Sequence, residues 1–144
     1  MDHYQEVNHI LVNLFHDIIE VEDKALITEE FKDISMNDMH IIEAIGMDVP
    51  KNMSTIAKDV GVTVGTLTIA INNLVKKGYV VRQRGEQDRR VVFLSLSEKG
   101  KAAYEHHKQF HHEMTEAILK CLNEEEIITL MKALNNIRDY FKIK

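Results

Sequence analysis

Four arginines lie within nine residues of one another, in the stretch "RQRGEQDRRVVF" at positions 82–93. A guanidinium is rigid and always charged, which suits phosphate contacts and the narrow minor groove of A/T-rich DNA. Asp88 precedes Arg90 by two residues, so its carboxylate can hold that guanidinium in one orientation. We therefore expect Arg90 to enter a minor groove, with Asp88 fixing its direction.

The remaining arginines of this stretch, and two lysines that follow it, are candidates for contacts with phosphate. We expect Arg84 and Arg89 to contact phosphates, whereas Arg82, at the base of the strand, is a candidate DNA-binding residue to which no particular contact is assigned. Lys99 and Lys101, early in the next helix, can add further phosphate contacts. An exposed hairpin with solubilising charges is the alternative, and the density of arginine makes it the weaker one.

A second group of side chains lies upstream, on the outward face of the segment "VGTLTIAINNLVKKG". Threonine and valine can contact thymine methyl groups, and asparagine can bridge N6 and N7 of adenine. The first turn has no arginine or lysine, so we expect an A/T-rich half-site. Gly65 would let the backbone approach the DNA closely. The candidate DNA-binding residues of this segment are Val64, Gly65, Thr66, Thr68, Ile69, Asn72, Asn73 and Lys76.

Three residues near the end of this segment do not require a base contact. Asn72 and Asn73 lie two turns from the start of the helix, so phosphate contact and simple solvent exposure both stay open for them. Lys76 is close to the C-terminal end of the helix, where a cation is favoured whether or not DNA binds.

Two short helices joined by a tight turn must position these side chains. Ser54 is expected to start the first helix, "TIAKDVG", which Gly61 ends, and Thr63 is expected to cap the second, which Gly78 ends. Inward-facing apolar residues and the sharp turn "VGVT" are typical of a helix-turn-helix, whose second helix enters a major groove. An αα-hairpin without a DNA role is the alternative, and the basic hairpin that follows disfavours it.

The rest of the chain predicts long helices around this unit. An amphipathic helix at 5–26 and a helix capped by Ser35 precede it. β-rich runs at 79–83 and 90–96 follow and predict a hairpin, the usual form of a wing. Ser97 is expected to start a long helix, and Asn123 with Glu126 forms a capping box for the last one.

The predicted fold class is mainly α with a small β-hairpin wing: a winged helix-turn-helix with long N- and C-terminal dimerisation helices. We expect a single domain over 1–144, with the DNA-binding lobe at about 35–97 and the dimerisation helices at about 3–27 and 98–144. The terminal helices would leave apolar faces uncovered in a monomer, and pairing of two chains would bury them.

The net charge of −5 conceals an uneven distribution. Residues 1–50 have twelve Asp or Glu and two Lys, a net charge of −10, whereas residues 51–108 have eleven Lys or Arg and five Asp or Glu, a net charge of +6. A basic middle between acidic flanks indicates a local surface for an anionic partner. Without an apolar block at the N-terminus or a run of about 20 apolar residues, we expect a cytoplasmic protein that binds double-stranded DNA and no membrane.

The segments "VTVGTLTIAINNLVKKGYVVR" and "DRRVVFLSLSEKG" resemble the recognition helix, wing and wing-to-helix junction of MarR family regulators. The resemblance covers nearly the whole chain. It implies an obligate homodimer with recognition helices in successive major grooves and wing arginines in flanking minor grooves, and it assigns the Asp and Arg of the wing motif to Asp88 and Arg90. The sequence departs from the family at Gln87 and Asn73, where basic residues are common.

Two further segments, "EFKDISMNDMHIIEAIG" and "HHKQFHHEM", resemble the fatty-acid-synthesis repressors of Gram-positive bacteria within that family. The resemblance implies a repressor of fatty-acid biosynthesis genes whose co-repressor is acyl carrier protein loaded with a long acyl chain. Methionines line adaptable apolar pockets, although for any single one of these residues core packing is the better explanation. The candidate pocket residues are Ile10, Leu14, Phe15, Met36, Met39 and Ile42.

The histidines offer an alternative effector. His107 and His111 are one helical turn apart, and His40 with carboxylates could complete a zinc site. Hydrogen-bonded or solvated histidines are the more common outcome, so no cofactor is expected, and a regulator that responds to zinc or to a small phenolic ligand remains the alternative. The sequence has no phosphate-binding glycine loop, nucleophile elbow or metalloprotease motif, so we expect that the protein is not an enzyme. A module that binds only an acidic protein is the remaining rival.

Overall fold

The computed structural model describes residues 2–26 and 30–143 of the 144-residue chain. Its elements, in chain order, are helix α1 (His3–Leu26), helix α2 (Met36–Ile45), strand β1 (Lys51–Asn52), helix α3 (Met53–Val60), helix α4 (Val64–Lys76), strand β2 (Val80–Arg84), strand β3 (Val92–Leu96), helix α5 (Glu98–Lys120) and helix α6 (Glu124–Ile143). The chain divides into two compact units, Met1–His107 and Lys108–Lys144. The extents proposed from the sequence for the domain and its lobes stay predictions.

Helix α1 is a single long helix, as the spacing of its apolar residues predicts. Reciprocal hydrogen bonds close its first turn: Gln5 N donates to Asp2 Oδ1 over 2.8 Å, and Asp2 N donates to Gln5 Oε1 over 3.3 Å. Leu26 is buried, but most of the other large apolar side chains are exposed in the single chain: Tyr4, Val7, Ile10, Val12, Leu14, Phe15, Ile19 and Val21.

Helices α2 and α4 start at the predicted caps. Ser35 and Asp38 form a capping box on α2, with two backbone-to-side-chain hydrogen bonds of 3.1 Å. Thr63 caps α4, because its Oγ1 accepts a hydrogen bond from Thr66 N over 3.1 Å. These caps satisfy backbone N–H groups that have no partner within the first turn of a helix.

Helix α3 begins earlier than predicted. Its cap is Asn52, whose Oδ1 accepts a hydrogen bond from Thr55 N over 2.8 Å, so Ser54 lies inside the helix. The sequence "KNMS" contains two good capping residues, and pairing of β1 with β3 selects the first. Gly61 ends α3 as predicted, in the left-handed conformation at φ 75° that glycine adopts without strain.

The sheet has the strand order β1-β3-β2, with antiparallel pairing throughout. Strands β2 and β3 form the predicted hairpin, but each begins later than expected: 80–84 instead of 79–83, and 92–96 instead of 90–96. Gly85 N donates to Val91 O over 2.8 Å, which closes the loop before β3 begins. Strand β1 was not predicted, because two residues are too short to show a period.

The core of the first unit lies among α2, α3, α4 and the sheet. Buried apolar side chains between positions 39 and 96, together with three from the preceding segment and one from α5, form it: Leu26, Phe31, Ile34, Met39, Ile41, Ile42, Ile45, Ile56, Ala57, Leu67, Ile71, Leu74, Tyr79, Val80, Leu94, Leu96 and Ala103. Among the residues that the structure describes, no single helix is long and apolar enough to cross a membrane. Helices α3 and α4 meet that criterion by length and composition only as a pair, bent by 103°.

The second unit comprises the end of α5 and the whole of α6. Asn123 and Glu126 form the predicted capping box, since Glu126 N donates to Asn123 Oδ1 over 2.9 Å and Asn123 N donates to Glu126 Oε1 over 3.0 Å. Helix α6, like α1, exposes large apolar side chains in the single chain: Ile128, Met131, Leu134, Tyr140 and Phe141.

Candidate nucleic-acid interface

Helix α4 separates its core-facing residues from the candidate DNA-binding residues. Leu67, Ile71 and Leu74 are fully buried, which fixes the rotation of the helix. Thr68 is half-buried, and the other candidates are exposed: Val64, Gly65, Thr66, Ile69, Asn72, Asn73 and Lys76. Ile69 is 68% exposed, so its side chain is accessible to a partner that presents an apolar group. A thymine methyl group is a partner of that kind.

Threonine hydroxyl groups at the start of α4 form hydrogen bonds within the helix and its cap. Thr63 Oγ1 donates to Thr66 Oγ1 over 3.0 Å, and Thr68 Oγ1 donates to Val64 O over 2.7 Å. The Thr68 hydroxyl therefore has its proton engaged within the helix.

The tip of the wing forms the pair expected from the sequence. Arg90 Nε donates to Asp88 Oδ1, and Arg90 Nη2 donates to Asp88 Oδ2, each over 3.1 Å. Arg90 N also donates to Asp88 Oδ1 over 3.0 Å. The hydrogen bond from Arg90 lowers the pKa of Asp88, and that from Asp88 raises the pKa of Arg90, so both groups are charged at neutral pH. The Arg90 side chain is 91% exposed, and Asp88 thus holds it in one direction while leaving it accessible.

Two other arginines of the wing are also held by neighbours. Arg84 Nη1 donates to Arg89 O over 2.9 Å, across the loop that joins the strands. Arg82 Nη1 donates to Asn72 Oδ1 over 2.6 Å, so the base of the wing is bonded to helix α4. The phosphate contacts of Arg84 and Arg89 stay predictions, but Arg84 also shapes the loop that carries Arg89.

A groove of about 470 Å³ lies between the wing, helix α4 and the start of helix α3. It brings together four of the predicted DNA-binding residues: Val64, Thr68, Arg82 and Arg90. Asn52, which caps α3, also lines this groove and was not singled out from the sequence. Its type and its position before "MSTIA" could have identified it, since both are those of a helix cap.

A polar network fixes the base of the wing, and we call it the Asp33 network after its central carboxylate. Tyr79 OH donates to Asp33 Oδ1 over 2.6 Å, and Lys99 Nζ lies 3.8 Å from Asp33 Oδ2 and 4.4 Å from the centre of the Tyr79 ring. Lys77 Nζ donates to Asp33 O. Lys99, whose phosphate contact stays a prediction, thus joins the start of α5 to the wing and to the segment before α2.

The Asp33 network perturbs two pKa values. The hydrogen bond from Tyr79 lowers the pKa of Asp33 below its usual 3.8, helped by the positive charges of Lys99 and Lys77. Burial raises the pKa of Tyr79, and its hydrogen bond to Asp33 raises it further. Asp33 is thus ionised and Tyr79 protonated at neutral pH.

Replacing Tyr79 with phenylalanine is expected to lower the free energy of unfolding by about 1 kcal/mol at pH 7, because Asp33 loses its principal donor. Since the folded-state pKa of Asp33 is lowered, its stabilising contribution is present above pH 3.8 and is lost as the pH falls through the folded value. The difference between the two proteins should therefore narrow toward pH 3. Urea denaturation at pH 7 and pH 3 measures both effects. Tyr4→Phe, which removes a tyrosine hydroxyl outside the Asp33 network, is the control, and a difference independent of pH would contradict the role of Asp33.

The six candidate pocket residues occupy different environments. Met39 and Ile42 are fully buried in the core, Met36 is partly buried against it, and Ile10, Leu14 and Phe15 are about half-exposed on α1. The acyl-chain pocket and its ligand stay predictions.

The candidate zinc ligands are also placed differently from one another. His107 is buried, and its Nε2 lies 2.6 Å from Glu43 Oε1. His40 is exposed and lines a shallow groove together with Glu43. His111 is partly buried and lies one turn after His107 along α5.

Comparisons with known proteins agree with this architecture. The family model "Transcriptional regulator SarA/Rot" matches residues 24–107. The HTH-type transcriptional regulator SarZ of Staphylococcus aureus is 32% identical over 110 residues, which are 75% of this chain and 70% of SarZ. The crystal structure of Streptococcus pneumoniae FabT in complex with DNA is 41% identical, covers 96% of this chain and 97% of FabT, and has a TM-score of 0.89.

A more distant structure supports the fold alone. A MarR family transcription regulator, SP03579, superimposes with a TM-score of 0.78 at 12% identity, covering 96% of this chain and 89% of that one. The mainly α winged helix-turn-helix predicted from the sequence is therefore confirmed. The similarity to FabT over nearly the whole chain supports the resemblance to MarR family regulators found in the sequence, and it supports a FabT-like subgroup.

The chain belongs to the SarA/Rot family of winged helix-turn-helix transcriptional regulators. It is a DNA-binding regulator and not an enzyme, as expected from the sequence.

Proposed function

We propose that the protein is a homodimeric repressor that binds a pseudo-palindromic, A/T-rich operator. The observation that carries this proposal is the groove in which the exposed face of α4 meets Arg90, already oriented by Asp88. Helix α4 enters a major groove, and Arg90 enters the adjoining minor groove. The minor groove of A/T-rich DNA is narrow and has a strongly negative potential, which attracts a guanidinium. The similarity to FabT, whose crystal structure is that of a complex with DNA, supports DNA binding by this chain.

The homodimer is supported by the apolar surfaces of α1 and α6, which a single chain leaves exposed. Large exposed apolar surfaces usually mark a site where a partner binds. In a two-fold symmetric dimer, each chain covers the apolar surface of the other. Sedimentation equilibrium should give twice the 16.7 kDa mass of the chain. A mass of one chain at micromolar concentration would contradict the dimer.

The proposed regulon and co-repressor are fatty-acid biosynthesis genes and acyl carrier protein that carries a long acyl chain. The similarity to FabT supports this part of the proposal. The acyl chain would approach the half-exposed side chains Ile10, Leu14 and Phe15, and the basic lobe would face the acidic carrier protein. Met39 and Ile42 are packed in the core, so they can line the acyl-chain site only if the acyl chain displaces part of that packing.

Selection of bound fragments from the genome of the source cell, followed by gel-shift titration, tests the proposal in two stages. Recovery of A/T-rich palindromes upstream of fatty-acid biosynthesis genes would support the regulon. Acyl-loaded carrier protein should then increase operator affinity, whereas the carrier without its acyl chain should not. Equal affinities with the two carrier forms would refute the co-repressor and leave the repressor itself intact.

Zinc is a second candidate effector, favoured by the pairing of His107 with Glu43 and by the groove that Glu43 shares with His40. Imidazole nitrogens and a carboxylate are competent zinc ligands. Isothermal titration of chelator-treated protein with Zn²⁺, compared with His107→Ala, tests it. Unchanged zinc affinity in the variant would exclude this set of ligands. A small phenolic ligand is the other alternative, and salicylate in the same gel-shift assay tests it.

A further inference from the structure

The hydrogen bond between Arg82 and Asn72 bears on which residues contribute affinity for DNA and which determine sequence preference. Val64, Thr68 and Asn72 recur every four residues, so they form one stripe along α4. Val64 and Thr68 line the groove between α4 and the wing, and Arg82 lines it from the other side. Asn72 continues the stripe and accepts the bond from Arg82. This stripe therefore lies on the wing side of the recognition helix.

The geometry of a duplex determines what this groove faces. A major groove and the adjoining minor groove are separated by one sugar-phosphate strand. If α4 occupies the major groove and Arg90 the minor groove, that strand must cross the cleft of the protein between helix α4 and the wing. The Arg82 side chain lines this cleft. A guanidinium has five N–H donors, and the bond to Asn72 engages one of them. The remaining donors suit a phosphate group, which arginine contacts with two parallel hydrogen bonds.

The same bond limits what Asn72 can do. Recognition of adenine by asparagine requires the side-chain oxygen to accept a hydrogen bond from N6 while the amide donates to N7. The oxygen of Asn72 already accepts a bond from a charged donor over 2.6 Å. That oxygen has a second lone pair, so the two roles compete for the orientation of one amide group and not for a single acceptor. An amide turned to present both its oxygen and its nitrogen to adenine would give up the orientation that holds the guanidinium.

We propose that Asn72 is a positioning residue that holds Arg82 against the DNA strand between the two grooves, and that it contributes affinity without base preference. This inference rests on the proposed DNA-binding function. It gives a role to Arg82, the one wing arginine to which the sequence assigned none, and it removes adenine recognition from Asn72. Asn73 stays a candidate for base contact; together with Ile69 it lines a separate groove, between α4 and α2.

The test uses a duplex recovered in the genomic selection and a set of its single base-pair variants, with affinity measured over a range of salt concentrations. Asn72→Ala should raise Kd about three- to tenfold on every duplex and leave the ranking of the variants unchanged. Arg82→Ala should raise Kd roughly tenfold and reduce the slope of log Kd against log salt by about one. The double variant should bind like Arg82→Ala alone, because Asn72 acts through Arg82.

Asn73→Ala is the matched control, as it removes the neighbouring exposed asparagine and should combine additively with Arg82→Ala. A changed preference at one base pair in Asn72→Ala, or additive effects of Asn72→Ala and Arg82→Ala, would overturn the inference while leaving the proposed function standing. A wild-type protein without salt-sensitive binding to any duplex would overturn both. Thermal unfolding of each variant confirms that affinity changes do not reflect loss of the fold.

Discussion

Replacing Gly100 with alanine is expected to destabilise the protein by about 3 kcal/mol or more, because the added methyl group has no space. A Cβ atom at this position would lie 2.1 Å from Tyr79 O and 3.2 Å from Leu96 Cβ. Tyr79 O is backbone and also accepts a hydrogen bond from Ser97 N over 3.0 Å, so it cannot move away without breaking that bond. The start of α5 would have to separate from the wing.

Gly65→Ala provides the matched control for Gly100→Ala. A Cβ at Gly65 would find Thr63 Oγ1 at 3.9 Å as its nearest neighbour, which is an ordinary contact. The free energy of unfolding of the Gly65→Ala variant should equal or slightly exceed that of the wild type, because alanine favours a helix more than glycine does. Urea denaturation of both variants measures the difference. Equal midpoints for Gly100→Ala and the wild type would show that α5 and the wing are not packed as described. Gly65→Ala should still weaken DNA binding if the backbone approaches the duplex there.

Replacing Arg90 with alanine is expected to weaken operator binding roughly ten- to a hundredfold. The Arg90 side chain is highly exposed, so the substitution should leave the fold unchanged. Its contribution to binding is enhanced because Asp88 orients it before DNA arrives, which lowers the entropy lost on association. The loss should be greatest on duplexes whose flanking segment is A/T-rich, where the minor groove is narrow. Fluorescence anisotropy with A/T-rich and G/C-rich flanks measures both effects.

Two comparisons make the Arg90 prediction specific. Asp88→Ala keeps the charge of Arg90 but removes its partner, so it should weaken binding less than Arg90→Ala does. Arg89→Ala, expected to remove a phosphate contact, should weaken binding equally on both kinds of flank. Equal operator affinity for Arg90→Ala and the wild type would exclude Arg90 from the minor groove.

The sequence predicted those parts of the fold that depend on local chemistry. The helix cap at Ser35, the capping box at Asn123, the turn at Gly61 and the pairing of Asp88 with Arg90 each involve residues close together in the chain. Side chains so near one another have few ways to arrange themselves, so residue type and spacing suffice. The buried and exposed faces of α4 follow equally well from a period of 3.6 residues.

The sequence could not predict contacts between residues far apart in the chain. Arg82 and Asn72 are ten residues apart, and Tyr79 and Asp33 are 46 apart, so only the packing of the elements brings each pair together. The contact of Lys99 with Asp33 was missed for the same reason. The start of α3 was misplaced because strand β1, which selects Asn52 as its cap, depends on pairing with a distant strand.

The most direct measurement of the central claim is a titration of the wild-type protein with a genomically selected duplex and with a scrambled duplex of the same composition, at several salt concentrations. Two chains should bind each selected duplex, with an affinity at least about a thousandfold higher than for the scrambled one and a log-linear decrease with salt. Equal affinity for the two duplexes, or binding to neither, would contradict a sequence-specific dimer that places α4 in the major groove and Arg90 in the minor groove.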